Sequence, residues 1–569
     1  MKEKKHINYI RILALCLCIA GAIKVLFVGY DIDEQYALAM SYRMTQGDFL
    51  IYNMWEPHQT SGFLMALFML PYLMIAGTTT GIALYVRICG LICHILVHFC
   101  LYKILKSYLH QDHSLLVCGI SFFVLPKLMF LPEFANMQMW FLMMASICLL
   151  KYYGTQVLTS GRGKLVWLIL AGFFTALEVL TYPSTVFVFG GTLFFMIFFR
   201  QKGTLIKELT AYILPCIFSA GIFMGILLAK IPLSDFGFLL KQATSDGSHS
   251  TTMADWIARH GISTLKSFGF LTIYAIAATI LCYILRRFKM HSKVSLLWHK
   301  LWLLCTFAGQ LVLWIWGGDY PNFPSVEYII VPALVLIGIS LRRIKCTPVF
   351  AFLVAVPFLA FPGVLLFSNH PLMASLPFLG PCVTGVLSLP EMKEIYLREE
   401  ELKGFAKAFS YKAILIVWLL VIVFGKCYMV RTTLAMHYTV LDEVSLCRRG
   451  VAWGIVTDTI GAERNRDIDI LVKEVLPENA NVYYIGKYPD VYLLQDMEVC
   501  TPSTISTPTY DDNIYLYFEL YPEKVPEYVI IESGFVYLPE GSWAAEFLEK
   551  HCEPEPMAEN LYIKIYRCK

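Results

Sequence analysis

From about residue 10 to residue 430 the sequence is a succession of apolar blocks, each closed by a few polar or basic residues, and this repetition limits the fold more than any motif does. A helix needs about 20 predominantly apolar residues to cross a bilayer. Blocks of that kind fall at 10–29, 81–102, 114–131, 137–151, 165–182, 184–200, 209–229, 268–285, 299–316, 327–341, 347–366, 374–389 and 413–430, about thirteen spans in all. The chain is 57% hydrophobic and 16% charged, where a soluble chain has about 45–50% and about 25%. Because the excess lies in blocks, it does not describe a larger soluble core. The fold class expected is an all-α polytopic membrane domain over residues 1–430, followed by a small α/β domain over 431–569.

Lysine and arginine mark cytoplasmic loops. Lys2, Lys4, Lys5 and Arg11 put the N-terminus inside, and alternate loops then hold Lys103/Lys106, Lys151/Arg162/Lys164, Arg200/Lys202/Lys207, Arg286/Arg287/Lys289/Lys293, Arg342/Arg343/Lys345 and Lys393–Lys412. The intervening loops at 30–60, 132–136, 317–326 and 367–373 are poorer in basic residues. Residues 61–77 are apolar but short, and counting them as a span would move every later basic loop outside. They are therefore expected to form an interfacial helix within the first outside loop, 30–80. The N-terminal block lacks a small-residue cleavage site and reads as a retained signal-anchor. An odd span count leaves the C-terminal domain outside a plasma membrane. In that domain, 481–485 and 527–531 read as short buried strands, and 512–521 and 543–551 as helices.

Most of the 17 cysteines lie inside apolar blocks and read as small hydrophobes. None has zinc-ligand spacing. Cys447, Cys500, Cys552 and Cys568 lie in the polar tail, where an oxidising compartment would permit a disulfide whose pairing the sequence does not fix. The net charge of +3 gives no nucleic-acid footprint.

Ionisable residues gather on the outer face. Tyr30-Asp-Ile-Asp-Glu-Gln-Tyr follows the first span, with Asp33 and Glu34 opening a helical stretch. One reading is a helix cap at the positive end of the dipole. Another is chemistry: Asp31 or Asp33 as a general base, with Asp33 and Glu34 as oxygen ligands for a divalent metal. Glu133 sits in the next outside loop. Glu178 lies near the outer end of its span, where a carboxylate is expensive, with Lys24 and Lys127 as candidate partners. His58 and Arg87 are candidate contacts for a phosphate or headgroup, and Asp319 and His370 are weaker candidates on the same face.

These residues also carry a resemblance. Asp33-Glu34-x-Tyr36, then Gly47-Asp48, then Glu56-Pro57-His58 before an apolar helix and a span with an early Arg87, is similar to the first outside loop of GT-C glycosyltransferases. The nearest branch is that of the protein-mannosyltransferases and lipid A aminoarabinose transferases. In it the run is Asp-Glu…Tyr…Gly-Asp…Lys-Pro-Pro. Here the Asp-Glu to Tyr spacing is one residue shorter than in the aminoarabinose branch, which keeps both Asp31 and Asp33 in play, and Glu-Pro-His replaces Lys-Pro-Pro. The resemblance implies an inverting transfer of a sugar from a polyprenyl-phosphate donor to an extracytoplasmic glycan, lipid or protein acceptor. On it Asp33 (or Asp31) would be the base and Glu133 its support. The residues themselves add Glu34 to orient the acceptor or hold a metal, and Tyr36, His58, Arg87, Lys127 and Glu178 as substrate or phosphate contacts. No cofactor beyond a possible divalent metal is implied. Two other classes remain: a lipid-linked saccharide flippase or other transporter, and a non-catalytic membrane protein of the same fold.

Overall fold

The computed structural model describes residues 9–127, 129–154, 162–200, 203–244, 346–359, 376–398, 410–432, 438–506, 513–534 and 542–569. Helices α1 (Tyr9–Phe27), α2 (Ile32–Thr45), α3 (Gln59–Ala76), α4 (Ile82–Leu105), α5 (Gln111–Phe123), α6 (Phe134–Tyr153), α7 (Arg162–Thr181), α8 (Phe187–Phe198), α9 (Leu205–Lys230) and α10 (Leu233–Thr244) come first. A helical segment at Phe350–Leu359 and helices α11 (Leu376–Leu387), α12 (Pro390–Arg398) and α13 (Tyr411–Tyr428) complete the bundle. Six described helices are long and apolar enough to cross a membrane: α3, α4, α6, α7 from Lys164, α9 and α13. The expected spans at 268–285, 299–316 and 327–341, and the candidates Asp319 and His370, lie outside the described residues.

The apolar block at 114–131 is not one helix. α5 stops at Phe123, because Pro126 offers no N–H and pushes the residue before it out of the helical region. Val124, Leu125, Met129, Phe130 and Leu131 continue as buried, irregular backbone. Such backbone is tolerated at depth only where protein surrounds it. It passes so close to α4 that a Cβ on Gly90 would collide with the Phe130 carbonyl, and it carries Lys127 to the end of the bundle where α6 begins.

Composition alone would let α3 span. Both of its ends, however, meet the C-terminal layer: Trp55 N–H donates to Pro502 O (2.8 Å) before it, and Gly81 N–H donates to Gly450 O (3.0 Å) after it. A helix of 18 residues is about 27 Å long, so a crossing α3 would carry one end to the opposite face. The geometry fits a helix lying along one end of the bundle, cushioned on α2, where Gly62 abuts Met40.

The C-terminal layer holds two short strand pairs, β1 (Met429–Val430) with β2 (Tyr438–Thr439) and β3 (Val444–Leu446) with β4 (Val456–Asp458). Helix α14 (Thr459–Val475) precedes β5 (Asn481–Ile485) and β6 (Glu498–Val499); helix α15 (Ile514–Leu520) precedes β7 (Tyr528–Glu532); helix α16 (Trp543–His551) precedes β8 (Ala558–Glu559) and β9 (Ile563–Arg567). Strands β5 to β9 form one mixed sheet in the order β6-β5-β7-β9-β8, with β5 parallel to β6 and β7. The layer does not stand apart at residue 431. Its buried Ile455, Val482, Tyr484 and Tyr492 share one hydrophobic cluster with Leu38 and Tyr42 of α2, Met65 of α3 and Val86 of α4. First loop and tail are thus packed as one body above the bundle.

Candidate functional site

Three chain segments meet at the end of α1. Gly29 N–H donates to Val456 O (2.7 Å), and Tyr30 bridges to Thr432. Gly29 has a φ of 97°, and a Cβ there would abut the Arg431 carbonyl, so the chain after α13 is laid directly against the start of the first loop. This contact fixes Arg431 beside α2.

Asp31 is the N-cap of α2, its carboxylate accepting from Glu34 N–H at 3.0 Å. Its other oxygen meets Arg431 Nε. Asp33, one turn-position on, takes two cations on the same oxygen: Arg431 Nη2 at 2.6 Å and Lys127 Nζ at 3.2 Å from Oδ2. Lys127 Nζ reaches on to Glu133 Oε2 at 3.3 Å. Glu133 is itself the N-cap of α6, accepting from Ala135 N–H (3.0 Å) and Asn136 N–H (2.8 Å). Side-chain exposure separates the carboxylates: 38% for Asp33 against 4% for Asp31 and 1% for Glu133. Burial pulls the Arg431 guanidinium down to about 10, which leaves it charged at neutral pH. Among the described residues, then, Asp31, Asp33, Lys127 and Glu133 do converge, and Arg431, which sequence reasoning missed, ties them together. A basic residue just past the last span, on the face poor in basic residues, was its only sequence signal.

Glu34 and Arg87 form a separate unit. Arg87 Nε and Nη2 fork onto the two Glu34 oxygens at 2.6 and 2.5 Å, and the guanidinium also donates to Leu26 O and Gly29 O. Both side chains are buried. This is a clamp between α2, α4 and the end of α1, with Arg87 turned into protein and not toward lipid phosphate. A divalent metal held by Asp33 and Glu34 does not fit, because each carboxylate faces its own cations. Among the described residues no group of three or more His, Cys, Asp and Glu side chains is gathered for a metal.

His58 precedes α3 in a left-handed conformation, φ 63°. Its ring stacks on Phe134 (centroids 4.1 Å apart) and near Tyr182 (5.6 Å), while Lys127 Nζ lies 4.4 Å from the Phe134 centroid. His58 is therefore adjacent to the cluster through Phe134. Tyr36 hydroxyl donates to Pro57 O (2.8 Å), bracing that turn. Glu178 is wholly buried on α7 with Thr185 and Gln138 among its polar neighbours. It pairs with neither expected cation: Lys127 is bridged as described, and Lys24 Nζ donates to Met429 O.

The Gly47-Asp48 and Glu56 positions belong to a third unit. Buried Arg43 donates to Asp48 (2.8 Å), Glu56 (3.1 Å), Asn53 O and Thr501 O. Glu56 in turn accepts from Thr504 N–H (3.0 Å) and its hydroxyl (2.7 Å), latching loop to tail. Deeper, Tyr30 hydroxyl donates to Asp490 (2.8 Å). Burial pushes Asp490 up to about 6 against the pull of Arg464 and this hydrogen bond, and Tyr30 is pushed upward as well, by burial and by Asp490.

The sequence matches no family model and no curated protein. Among solved structures it is similar to ArnT from Cupriavidus metallidurans bound to undecaprenyl phosphate, at 10% identity and a TM-score of 0.49, covering 98% of this chain and 97% of that one. It is also similar to the Archaeoglobus fulgidus oligosaccharyltransferase in the apo form, at 11% identity and a TM-score of 0.49 over 93% of this chain and 70% of that one.

Proposed function

We propose that this is an inverting membrane glycosyltransferase that takes a sugar from a polyprenyl-phosphate donor on the outer face. The acceptor is an extracytoplasmic glycan, lipid or protein. One observation carries the reading: Lys127 bridges Asp33 and Glu133, leaving Asp33 as the exposed carboxylate of the cluster. The motif run from Asp33 to Arg87 supports it from the sequence side.

In the reaction the acceptor hydroxyl attacks the anomeric carbon of the sugar. Its proton goes to an Asp33 oxygen, the new C–O bond forms on one face, and the bond to the phosphate oxygen breaks on the other. The electron pair leaves with the lipid phosphate. A departing phosphate asks for a positioned positive charge, and Lys127 supplies it. Glu133, anchored by two backbone N–H groups, orients Lys127. Asp31, capping α2 and nearly buried, sets the position of Asp33 and is the weaker base. Glu34 and Arg87 hold the scaffold, and His58 with Tyr182 forms an aromatic wall beside the site.

The test is transfer by purified protein from a panel of radiolabelled polyprenyl-phosphate sugars. Asp33→Asn should abolish transfer in a protein that still folds, and Asp31→Asn should reduce it less. Full activity in both variants would sink the site assignment.

A further inference from the structure

Arg431 and Lys127 converge on one Asp33 oxygen, at 2.6 and 3.2 Å. Two cations on a single carboxylate oxygen, with that carboxylate the exposed member of the set, make an arrangement that a second anion can enter. The two buried carboxylates nearby, Asp31 on Arg431 and Glu133 on Lys127, are fixed in place as the caps of α2 and α6, where each helix N-terminus carries about half a positive charge. The charge left to exchange is that of Asp33. Arg431 is held in register by the Tyr30–Thr432 bridge, so its fork stays while its partner changes.

We propose that Arg431 is, with Lys127, the ligand of the donor's lipid phosphate, and that the phosphate and the Asp33 carboxylate compete for the pair. This rests on the glycosyltransferase reading and adds order to it. Without donor, Asp33 is masked by both cations and is a poor base. Donor phosphate draws the cations off and leaves Asp33 able to accept a proton. Once Asp33 is protonated, its own pull on the two cations is gone and the departing phosphate keeps them. Acceptor activation thus waits for the donor.

Competition gives a signature that a merely structural Arg431 does not. Undecaprenyl phosphate, added to the full-length protein in lipid nanodiscs, is the probe. Arg431→Gln should weaken its binding about tenfold or more, as loss of a charge-assisted hydrogen bond does. Asp33→Asn should tighten it, because the competing anion is gone. Arg431→Lys, keeping the charge without the fork, should fall between wild type and Arg431→Gln. Wild-type binding in Arg431→Gln, or binding in Asp33→Asn no tighter than wild type, overturns the proposal while leaving the transferase reading standing. If Arg431→Gln does not fold, the Asp33→Asn comparison decides alone. A wild type that binds no undecaprenyl phosphate sinks the donor reading and this assignment with it.

A separate observation carries a second inference. Cys552 and Cys568 form an isolated antiparallel bridge pair, and their Sγ atoms lie 3.0 Å apart. Cys568 N–H donates to Glu527 O and Lys569 N–H to His551 O, so the chain end is already pinned across the sheet. The geometry points to a disulfide joining them, made by thiol–disulfide exchange with an oxidised protein dithiol. One thiolate attacks the oxidant's disulfide, the second displaces the oxidant from the mixed disulfide, two protons are lost, and the oxidant leaves as its dithiol. Such a bond persists only in an oxidising compartment, so it also reports the side on which the C-terminal layer lies. Protein extracted from membranes under alkylating conditions should show two fewer reactive thiols before reduction than after, with a Cys552–Cys568 linked peptide. Both residues alkylated without reduction, or either linked to another cysteine, overturns it.

Discussion

Replacing Arg87 by methionine should unfold this protein early, and replacing Glu34 along with it should restore part of the loss. The guanidinium forks onto both oxygens of a buried Glu34 and donates to Leu26 O and Gly29 O. Arg87→Met leaves a buried carboxylate without its counter-charge, which costs about 3–5 kcal/mol. It also strips two carbonyls of their donor, at about 1–3 kcal/mol. The terms overlap and do not simply add. A loss near 4 kcal/mol is roughly a thousandfold in the folded-to-unfolded ratio, at about 1.4 kcal/mol per tenfold. In Glu34→Met/Arg87→Met both charges are gone, and a buried pair exchanged for apolar side chains is often neutral or stabilising. Only the carbonyl penalty of about 1–3 kcal/mol remains, so the double variant should recover part of the loss. The assay is the fraction of detergent-solubilised protein that stays monodisperse through a series of heat steps, read by size-exclusion chromatography. Arg87→Met melting with the wild type, or the double variant melting no higher than the single, refutes the clamp. A folded double variant that has lost undecaprenyl-phosphate binding would instead give Arg87 the phosphate contact expected of it from sequence.

Gly90→Ala should act at a distance: its Cβ would collide with the Phe130 carbonyl, shifting the segment that carries Lys127, so transfer should fall sharply, and an unchanged rate would place Lys127 outside the reaction. Glu56→Gln should weaken the grip of Arg43 and Thr504 on the first loop, destabilising by about 3 kcal/mol and speeding hydrogen exchange at the Thr504 amide; unaltered exchange would break the latch argument. Asp490 is pushed up from 3.8 to about 6 by burial, despite Arg464 and the Tyr30 hydroxyl. Its folded value stands above its unfolded one, so the folded state binds the extra proton between those values and stability falls as pH rises through that window, the penalty being full above about pH 6. Wild type should therefore gain heat resistance between about pH 7.5 and about pH 5, by something on the order of 1–1.5 kcal/mol, and Asp490→Asn should lose that slope; equal slopes would refute it.

Apolar blocks located most of the described helices, because a bilayer imposes length and composition directly on the sequence. Hydropathy failed at 114–131 since it averages over Pro126, whose effect is on backbone geometry and not on solubility in lipid. The convergence of Asp33 with Glu133 was legible as two carboxylates expected on one face. Their separate jobs were not: Glu is a poor cap by preference, and only the close approach of 124–133 to α4 makes Glu133 one. The Glu34–Arg87 pair spans 53 residues and depends on how α2 lies over α4, which no local pattern encodes. The partner of Arg431 was hidden for the same reason, the residue being brought to Asp33 from 398 residues away by a strand-like contact that two short, unremarkable segments make.

The replacement of Lys-Pro-Pro by Glu56-Pro57-His58 takes a different meaning in this setting. Glu56 points into the Arg43 hub and holds Thr504 of the tail. Pro57 offers its carbonyl to Tyr36. His58 takes the left-handed turn that lays its ring on Phe134. Each position of the box fixes the first loop, and no lysine stands in it. Under the transferase reading proposed above, a departing lipid phosphate still needs a positive charge. Lys127 stands against that same Phe134 ring, 4.4 Å from its centroid, so a positive charge absent from the box is present one ring away on a different segment. That exchange explains why the segment 124–133 must leave the helical path at Pro126: a continuing helix would keep Lys127 on the axis of α5, away from Asp33. In the proposed reading, the acidic cluster, the broken span and the Glu56-Pro57-His58 turn all serve one requirement, a cation held between Asp33 and Glu133.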